Sequence, residues 1–380
     1  MFYLCGRAAK PHGQERSKWR FRKQPSGNAT DMRVVVVGAT GNVGTSILQS
    51  LERESGVDSV LGIARRLPEH DFARTEWAPA DISRDELAPL FRGADAVVHL
   101  AWLIQPSRDP ATLRATNVVG SRRLIEAVRR AGVPALIYAS SVGAYSAGPK
   151  DQRVDEMWPT QGIPTSFYSR HKAEVEKLLD RFEREARDVR VVRMRPGLIF
   201  KREAASGIRR LFAGPLLPNF GLRRGWIPVV PKNKRLRFQA VHSFDVGDAY
   251  RLAITNPVRG AFNLAAEPVL DSDALGRLLR ARPVPVPTAA LRTAASITWR
   301  LRLQPTPPGW VDLALGAPIM DTQRAHAELG WRPRFSADEA FMDLFDGLRE
   351  GAGFRTPPLE RQAGGPLRLR EFQTGVGKRS

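Results

Sequence analysis

The chain has 380 residues, of which 42% are hydrophobic, so it can hold one large α/β unit and a second lobe. It has no run of about 18 uncharged apolar residues that could span a membrane. Cys5 is the only cysteine, which excludes an internal disulfide framework and a cysteine-rich metal site, and we expect a cytoplasmic protein with no bound metal. The formal net charge of +20 comes mostly from arginine, and because the basic residues show no aromatic interleaving or single-face stripe, we predict no nucleic-acid partner.

Strands and helices are predicted to alternate along the first half of the chain. The predicted strands cover residues 33–38, 59–64, 76–80, 96–100, 135–140 and 189–195. The predicted helices cover residues 42–53, 81–91, 111–130 and 167–187. This alternation predicts an α/β fold, a doubly wound parallel sheet of the Rossmann type, to which Gly260–Leu264 returns as a late strand.

The composition divides the chain into regions. Residues 1–31 are polar and basic, which predicts a disordered extension, and Met32 could be either the natural start or the residue after a flexible arm. Residues 32–200 are predicted to form the dinucleotide-binding domain, with a returning segment near 238–265. We assign residues 201–237 and 266–350, which are rich in proline and basic residues, to a smaller substrate lobe, and 351–380 to a flexible tail.

A glycine-rich turn joins the first predicted strand to the first predicted helix. Gly38 permits the tight turn, Gly41 lets a pyrophosphate approach the backbone, and Gly44 allows the helix to pack closely on the strand. The N-terminus of the helix offers unpaired N–H groups to the phosphates. We therefore predict a dinucleotide site, and its neighbouring candidates in the same turn are Thr40, Asn42 and Val43.

The second predicted strand ends with Arg65 and Arg66, where a carboxylate would favour NAD. Guanidinium groups pair well with a 2′-phosphate, so we predict NADP as the cofactor, with NAD as the alternative. Asp81 and Ile82 follow the third strand and are candidates for contact with the adenine. Asp81 could instead serve as a helix N-cap.

A tyrosine and a lysine lie four residues apart on the predicted helix 167–187. Tyr168 and Lys172 therefore share one face, and a nearby ammonium is expected to lower the pKa of the phenol. Ser141 could hydrogen-bond a substrate oxygen on which charge develops. These three residues are the predicted catalytic group.

At this point the chain resembles the extended short-chain dehydrogenases/reductases of the NAD(P)-dependent epimerase/dehydratase type, over roughly residues 32–350. The resemblance lies in Gly38-x-x-Gly41-x-x-Gly44, the segment 94–101, Asn117, Ser140 to Tyr145, Tyr168-x-x-x-Lys172, Arg195-Pro196-Gly197, the segment 241–249 and Leu329-Gly330-Trp331-x-Pro333.

This resemblance implies a role for several residues. It implies Tyr168 as acid/base, Lys172 as ribose ligand and Ser141 as partner of the substrate oxygen. Ser141 is preferred over Ser140 because the family serine usually lies four residues before the tyrosine that Tyr145 matches. The residues implied to line or support the cofactor cleft are Leu100, Ala101, Trp102 and Asn117. Many relatives pair through two long helices, here 111–130 and 167–187, so a homodimer is implied.

The predicted function is hydride transfer between a nicotinamide and a carbonyl or alcohol carbon. Nucleotide-sugar members often carry an asparagine where this chain has Pro196-Gly197, so the resemblance favours other carbonyl substrates. A nucleotide-sugar epimerase or dehydratase with tightly bound NAD remains an alternative, and a basic cluster between residues 209 and 237 could bind such an anionic substrate. A non-catalytic NADP-sensing or assembly protein on the same fold is a further alternative.

Overall fold

The structure is a computed structural model that describes residues 32–105, 107–212 and 227–360. Its strands are β1 (Met32–Val37), β2 (Val57–Ala64), β3 (Thr75–Pro79), β4 (Ala96–His99), β5 (Ala135–Ala139), β6 (Arg153–Val154), β7 (Arg190–Pro196), β8 (Leu198–Phe200), β9 (Val229–Lys232), β10 (Arg237–Phe238), β11 (Ala240–His242), β12 (Gly260–Leu264), β13 (Leu270–Asp271), β14 (Arg282–Pro285) and β15 (Ile319–Met320). Its α-helices are α1 (Asn42–Leu51), α2 (Ala88–Phe91), α3 (Pro110–Arg114), α4 (Ser121–Ala131), α5 (Phe167–Glu185), α6 (Ala205–Phe212), α7 (Ser243–Thr255), α8 (Ser272–Leu279), α9 (Thr288–Arg300), α10 (Gly309–Gly316), α11 (Gln323–Ala327) and α12 (Ala337–Glu350).

Seven strands form the central sheet in the order β3-β2-β1-β4-β5-β7-β12, and every neighbouring pair is parallel. The predicted doubly wound parallel sheet is therefore confirmed, as is the late strand Gly260–Leu264, which pairs with β7. The strand order reverses between β1 and β4, and in such sheets ligands bind in the crevice outside the carboxyl ends of the strands at that point.

Side chains alternate between the two faces of the sheet, and each face has its own core. In β1, Val34 and Val36 pack into one buried cluster with α1 and α7, whereas Val35 and Val37 pack into another with α4 and α5. A strand that is buried on both faces needs the continuous valine run that the sequence shows. Helices therefore cover both faces, and only the strand ends remain open for a site.

Several elements that follow β7 pack in a separate cluster around α12. This helix begins with a capping box between Ser336 and Glu339, and its apolar face packs against Phe200, Ala240 and Leu270. Four two-stranded sheets lie outside the central one in the described residues. None of the helices in the described ranges is both long and apolar enough to cross a bilayer.

Three predicted elements differ from the structure. The helix predicted over 111–130 is interrupted by a π-helical turn, Ala115–Gly120, which contains Asn117. The helix predicted over 81–91 is reduced to α2, because the Asp81 carboxylate accepts hydrogen bonds from Ser83 and holds a turn instead.

Residues 351–360, which we predicted to be a flexible tail, belong to the folded body. The Thr356 hydroxyl is buried and donates to the Thr40 carbonyl (2.9 Å), and Leu359 is buried beside α6. This contact joins sequence positions 316 residues apart, so no local pattern could indicate it. The predictions for 1–31 and 361–380 lie outside the described residues.

Candidate active site

The glycine turn has the geometry that a dinucleotide requires. Gly38 has a φ of +90°, and a Cβ there would lie 2.8 Å from the Ala101 nitrogen. A Cβ on Gly44 would lie 2.5 Å from the Ala39 carbonyl oxygen, so helix and strand pack as closely as predicted. Gly41 has open space, with only the Gly38 carbonyl at 3.4 Å. The turn thus offers exposed backbone at Gly41, where a phosphate could approach.

The N-terminus of α1 begins at this turn. Its N-cap is Gly41, so no side chain caps the first N–H groups, and the Asn42 Oδ1 is buried without a hydrogen-bond partner. Thr40 is buried and Val43 is half-buried. These residues form a cradle with free donors that fits a pyrophosphate.

A buried lysine that we did not predict lies beneath the same helix. The Lys201 ammonium donates to the Asn42 carbonyl (3.0 Å), to Thr45 Oγ1 (2.7 Å) and to Ser46 Oγ (3.0 Å). Burial lowers the pKa of Lys201 to about 8, and Glu203 opposes the shift. Lys201 follows β8 and lies 156 residues from Thr45 in the chain, so only the fold brings it to the glycine turn.

The predicted adenosine end lies at the carboxyl end of β2. Arg65 and Arg66 are both exposed there. Partial burial lowers the pKa of Arg65, and the charge of Asp81 opposes this shift. Ile82, by contrast, is buried against Gly120, where it supports the π-helical turn.

Asn117 is predicted to bind the cofactor, but the structure places it differently. Its amide nitrogen donates to the Leu103 carbonyl (2.7 Å), and its amide oxygen accepts from the Leu103 nitrogen (2.7 Å). Asn117 is fully buried. It therefore acts through the loop that follows β4. The first residues of this loop, Leu100 and Ala101, lie against Gly38, and Trp102 packs on Tyr168.

The predicted catalytic residues are brought together at the carboxyl ends of β4 and β5. Tyr168 lies in the first turn of α5, and Ser141 follows β5. The two side chains lie on either side of Gly143, where a Cβ would be 2.8 Å from Tyr168 Cε1 and 3.4 Å from Ser141 Oγ. The ring centroids of Tyr168 and Trp102 are 6.0 Å apart in an edge-to-face arrangement. Since Ala101 lies against Gly38, the loop after β4 connects the surroundings of the phenol with the glycine turn.

Lys172 lies one helical turn beyond Tyr168. Its ammonium donates to the Ala139 carbonyl (2.5 Å) and lies 3.7 Å from the centroid of the Trp102 ring and 5.9 Å from that of Tyr168. Burial lowers the pKa of Lys172 to about 7, and the Glu176 carboxylate opposes this shift. The lysine can therefore change its charge near neutral pH.

The expected lowering of the phenol pKa by this ammonium is not observed. Burial raises the pKa of Tyr168, and the hydrogen bond with Ser141 opposes the rise. Tyr168 is thus a protonated phenol at neutral pH, ready to donate to an oxygen.

A buried ionic network, which we did not predict, holds α5 against β7. The Glu176 carboxylate is fully buried and accepts from Arg195 (2.9 Å for each oxygen), from Arg193 (2.8 Å) and from the Ser140 hydroxyl (2.5 Å). Although burial alone would raise the pKa of Glu176, the hydrogen bonds and charge of Arg195 hold it well below its ordinary value. Its position four residues after Lys172 was the one signal in the sequence.

The smaller lobe adds an aromatic side chain to the site. Trp310 of α10 packs on Tyr168, with ring centroids 5.1 Å apart, and on Phe167, with centroids 6.3 Å apart. Ile163 and Leu313 complete an apolar cluster around this contact. Trp310 had no signal in the sequence, because it is 142 residues from Tyr168.

Gly197, directly after β7, carries no side chain that could reach a substrate. A Cβ on Gly197 would lie 2.5 Å from the Gln239 carbonyl oxygen, so this position must remain a glycine in this backbone. In the basic cluster, Arg223 and Arg224 lie outside the described residues. Arg235 and Arg237 donate to the backbone carbonyls of Leu315 and Lys150.

The histidines have structural surroundings. His99 is buried and shares a hydrogen bond with Ser121 (2.8 Å), and burial lowers its pKa to about 3. His242 begins α7 and accepts from the Phe244 nitrogen. No group of His, Cys, Asp and Glu that could hold a metal is found in the part of the chain that the structure describes.

Comparison with known proteins identifies the class. The model of the NAD dependent epimerase/dehydratase family matches residues 34–265, so the chain belongs to this family and is an enzyme that uses a nicotinamide cofactor. The cradle at Gly38 to Gly44 fits that cofactor.

Relatives and a solved structure are similar to this chain. An uncharacterized protein of Mycobacterium tuberculosis (strain H37Rv) is 28% identical over 332 residues, which cover 83% of each chain. A sterol-4-alpha-carboxylate 3-dehydrogenase (decarboxylating) of Saccharomyces cerevisiae is 27% identical over 192 residues, or 47% of this chain and 55% of that enzyme. The fold is similar to that of the Thermus thermophilus UDP-glucose 4-epimerase in complex with NAD (TM-score 0.61, 23% identity, 84% of this chain and 99% of that one).

Proposed function

We propose that this enzyme is an NADP-dependent oxidoreductase that acts on the secondary alcohol or ketone of an apolar, ring-containing substrate. The observation that carries the proposal is the position of the Tyr168 phenol, which packs on Trp310 and has Ser141 close by. The loop after β4 connects this position with the glycine turn, because its Trp102 ring packs on Tyr168 and its Ala101 lies against Gly38.

The proposed chemistry needs three side chains. A bound nicotinamide would exchange a hydride with the substrate carbon. During reduction Tyr168 donates its proton to the substrate oxygen, and its raised pKa keeps that proton in place until the oxygen becomes basic. Ser141 donates a hydrogen bond to the same oxygen. Lys172 would bind the ribose of the cofactor, and its ammonium would supply a positive charge to the site.

The preference for NADP rests on the adenosine end of the cleft. Arg65 and Arg66 are exposed at the end of β2, while the nearby Asp81 carboxylate is engaged by Ser83. We expect the double variant Arg65→Ala/Arg66→Ala to lose NADPH affinity by about tenfold to a hundredfold, since charge-assisted hydrogen bonds are lost. NADH affinity, measured by the same fluorescence titration, is the internal control. Equal weakening for both cofactors would contradict the assignment.

The proposed substrate class rests on what surrounds the phenol. Trp310, Ile163 and Leu313 form an apolar wall, and Gly197 leaves no room for the amide that nucleotide-sugar members often carry. The similarity to a yeast sterol dehydrogenase is consistent with such a substrate. An apolar ring can stack on the indole face of Trp310.

The decisive experiment measures NADPH consumption by three variants with a panel of cyclic ketones, and the two serine variants among them form a matched pair. Tyr168→Phe should lose turnover by at least about a thousandfold and keep its NADPH affinity. Ser141→Ala should lose turnover, whereas its neighbour Ser140→Ala, which removes a hydrogen bond to Glu176, should keep it. Turnover by Tyr168→Phe at the wild-type rate would refute the assigned role.

The two alternatives give different outcomes. Mass spectrometry of the small molecules released from denatured protein would show stoichiometric NAD for a nucleotide-sugar epimerase, and none for the proposed reductase. NADPH binding without turnover on any ketone or UDP-sugar would favour a sensing or assembly protein. Light scattering tests the homodimer implied by the resemblance.

A further inference from the structure

Helix α9 and the turn that follows it present an exposed apolar surface. No residue of α9 is buried. Ile297 is 51% exposed, Leu301 is 64% exposed and Leu303 is 46% exposed. Ala290 and Ala294 lie on the same side of the helix as Ile297, at its i−7 and i−3 positions, and are also exposed. We call this stripe, Ala290, Ala294, Ile297, Leu301 and Leu303, the α9 surface.

The opposite side of α9 is fixed to the enzyme. The Arg108 guanidinium donates to the Trp299 carbonyl and lies 3.6 Å from the centroid of the Trp299 ring. Arg292 pairs with Asp312 of α10 (2.9 Å). The α9 surface is therefore the outer face of a helix whose inner face contacts the rest of the enzyme.

The chain segment that contains the α9 surface carries charge of one sign. The sequence has no acidic residue between Asp273 and Asp312, but it has six arginines there, all of them exposed: Arg277, Arg280, Arg282, Arg292, Arg300 and Arg302. Apart from Arg292, these side chains form no ion pair with the described part of the chain. The exposed apolar stripe thus lies within a strongly basic segment of the chain.

We propose that the α9 surface binds an anionic membrane. A bilayer with acidic headgroups offers negative charge and, a few ångströms below, an apolar layer, and both are needed here. The aliphatic side chains of Ile297 and Leu301 can enter the boundary between headgroups and acyl chains, while Arg300 and Arg302 pair with phosphate or carboxylate groups. A nucleic acid would satisfy the arginines but leave the aliphatic stripe in water.

Membrane binding through this surface would bring the active site close to lipid. The loop after β4 is tied to the segment after α9, because the Ser107 hydroxyl donates to the Pro305 carbonyl (2.5 Å). Trp310, which packs on Tyr168, follows five residues later. Docking through α9 places the substrate lobe at the bilayer, whatever the substrate is, so the proposal stands independently of the reductase assignment.

The test is cosedimentation of the full chain with vesicles of phosphatidylcholine alone and with vesicles that contain about one third phosphatidylserine. We expect binding to the anionic vesicles only. Ile297→Asp/Leu301→Asp and Arg300→Gln/Arg302→Gln should each weaken it by at least about tenfold. The control Met157→Asp, at a side chain that is 86% exposed in the loop before α5, should bind like wild type.

A second measurement tests membrane binding in a variant whose fold is checked at the same time. An environment-sensitive dye on Ile297→Cys, in a Cys5→Ser background, should shift to the blue when anionic vesicles are added, while NADPH affinity reports an intact fold. The proposal is overturned if wild type does not bind anionic vesicles, or if Ile297→Asp/Leu301→Asp binds as wild type does, which would mean electrostatic adsorption alone. It is also overturned if that variant dissociates a homodimer in light scattering, because the surface would then be an interface between copies.

Discussion

Replacing Lys172 by methionine should raise stability near neutral pH while it removes activity. Methionine fills nearly the same volume as the lysine stem, so the main change is the loss of the ammonium. In the fold, burial lowers the pKa of that ammonium from 10.5 to about 7, with only partial opposition from Glu176. The folded protein therefore holds this proton less tightly than the unfolded chain does.

The sign and size of the effect follow from this difference. The lysine destabilises the fold fully below about pH 7, progressively less between pH 7 and 10.5, and not at all above. The fall in pKa corresponds to about 5 kcal/mol of unfolding free energy below pH 7, at about 1.4 kcal/mol per pH unit. Methionine loses the hydrogen bond to Ala139 and the contact with the Trp102 ring, together about 2–4 kcal/mol. The variant should therefore gain about 1–3 kcal/mol at pH 7.

The assay is urea unfolding of the protein without cofactor, followed by circular dichroism from pH 6 to 9. The stability of Lys172→Met relative to wild type should fall by about 2 kcal/mol between pH 7 and 9, because the wild-type lysine progressively loses its proton in the fold. Lys150 is the control: burial also lowers its pKa to about 7, and its ammonium donates to the carbonyls of Arg237 and Ala314, away from Tyr168. Lys150→Met should show the same pH slope and keep turnover. A difference from wild type that does not change with pH would refute the reasoning.

Two further changes test the supports of the site. Glu176→Leu should lower the unfolding free energy by about 3–5 kcal/mol, because Arg195 would lose its buried counter-charge. The control Glu126→Leu, at an exposed pair with Arg129, should lower it by less than about 1 kcal/mol. Similar urea midpoints for the two variants would contradict this prediction. In steady-state kinetics, Trp310→Ala should raise the KM for cyclic ketones about tenfold and leave NADPH affinity unchanged. Trp310→Phe should bring the KM most of the way back to the wild-type value. An unchanged KM in Trp310→Ala would remove Trp310 from the substrate site.

The sequence was sufficient for the parts of the site that are local. The glycine turn follows a buried strand and opens a helix, so its spacing alone predicts its geometry, and Tyr168 and Lys172 share a helical face. The same spacing of four residues would also have predicted that Glu176 lies on that face. What could not be derived is every contact made across the fold, including Lys201 beneath α1, Thr356 on the Thr40 carbonyl and Trp310 on the phenol. These contacts have no periodic signal, because they depend on how the lobe packs.

The pKa of Tyr168 shows why local pattern and local chemistry can disagree. Spacing predicts an ammonium near the phenol, and in water the ammonium would favour the phenolate. In the fold, however, the Lys172 ammonium is directed to the Ala139 carbonyl and the Trp102 ring, and burial has the larger effect on both groups. Desolvation therefore decides the protonation of the pair, and it depends on residues that lie far away in the sequence.

The boundary of the family match indicates where the individual character of this enzyme lies. The match covers residues 34–265, which contain the glycine turn and all three catalytic candidates. Trp310 and the α9 surface lie beyond it, in the lobe that the phenol faces. Because one fold can serve many different substrates, we expect selectivity to come from contacts outside the common part. The substrate of this enzyme is therefore best sought with variants of residues 288–313, using the matching domain as the constant background.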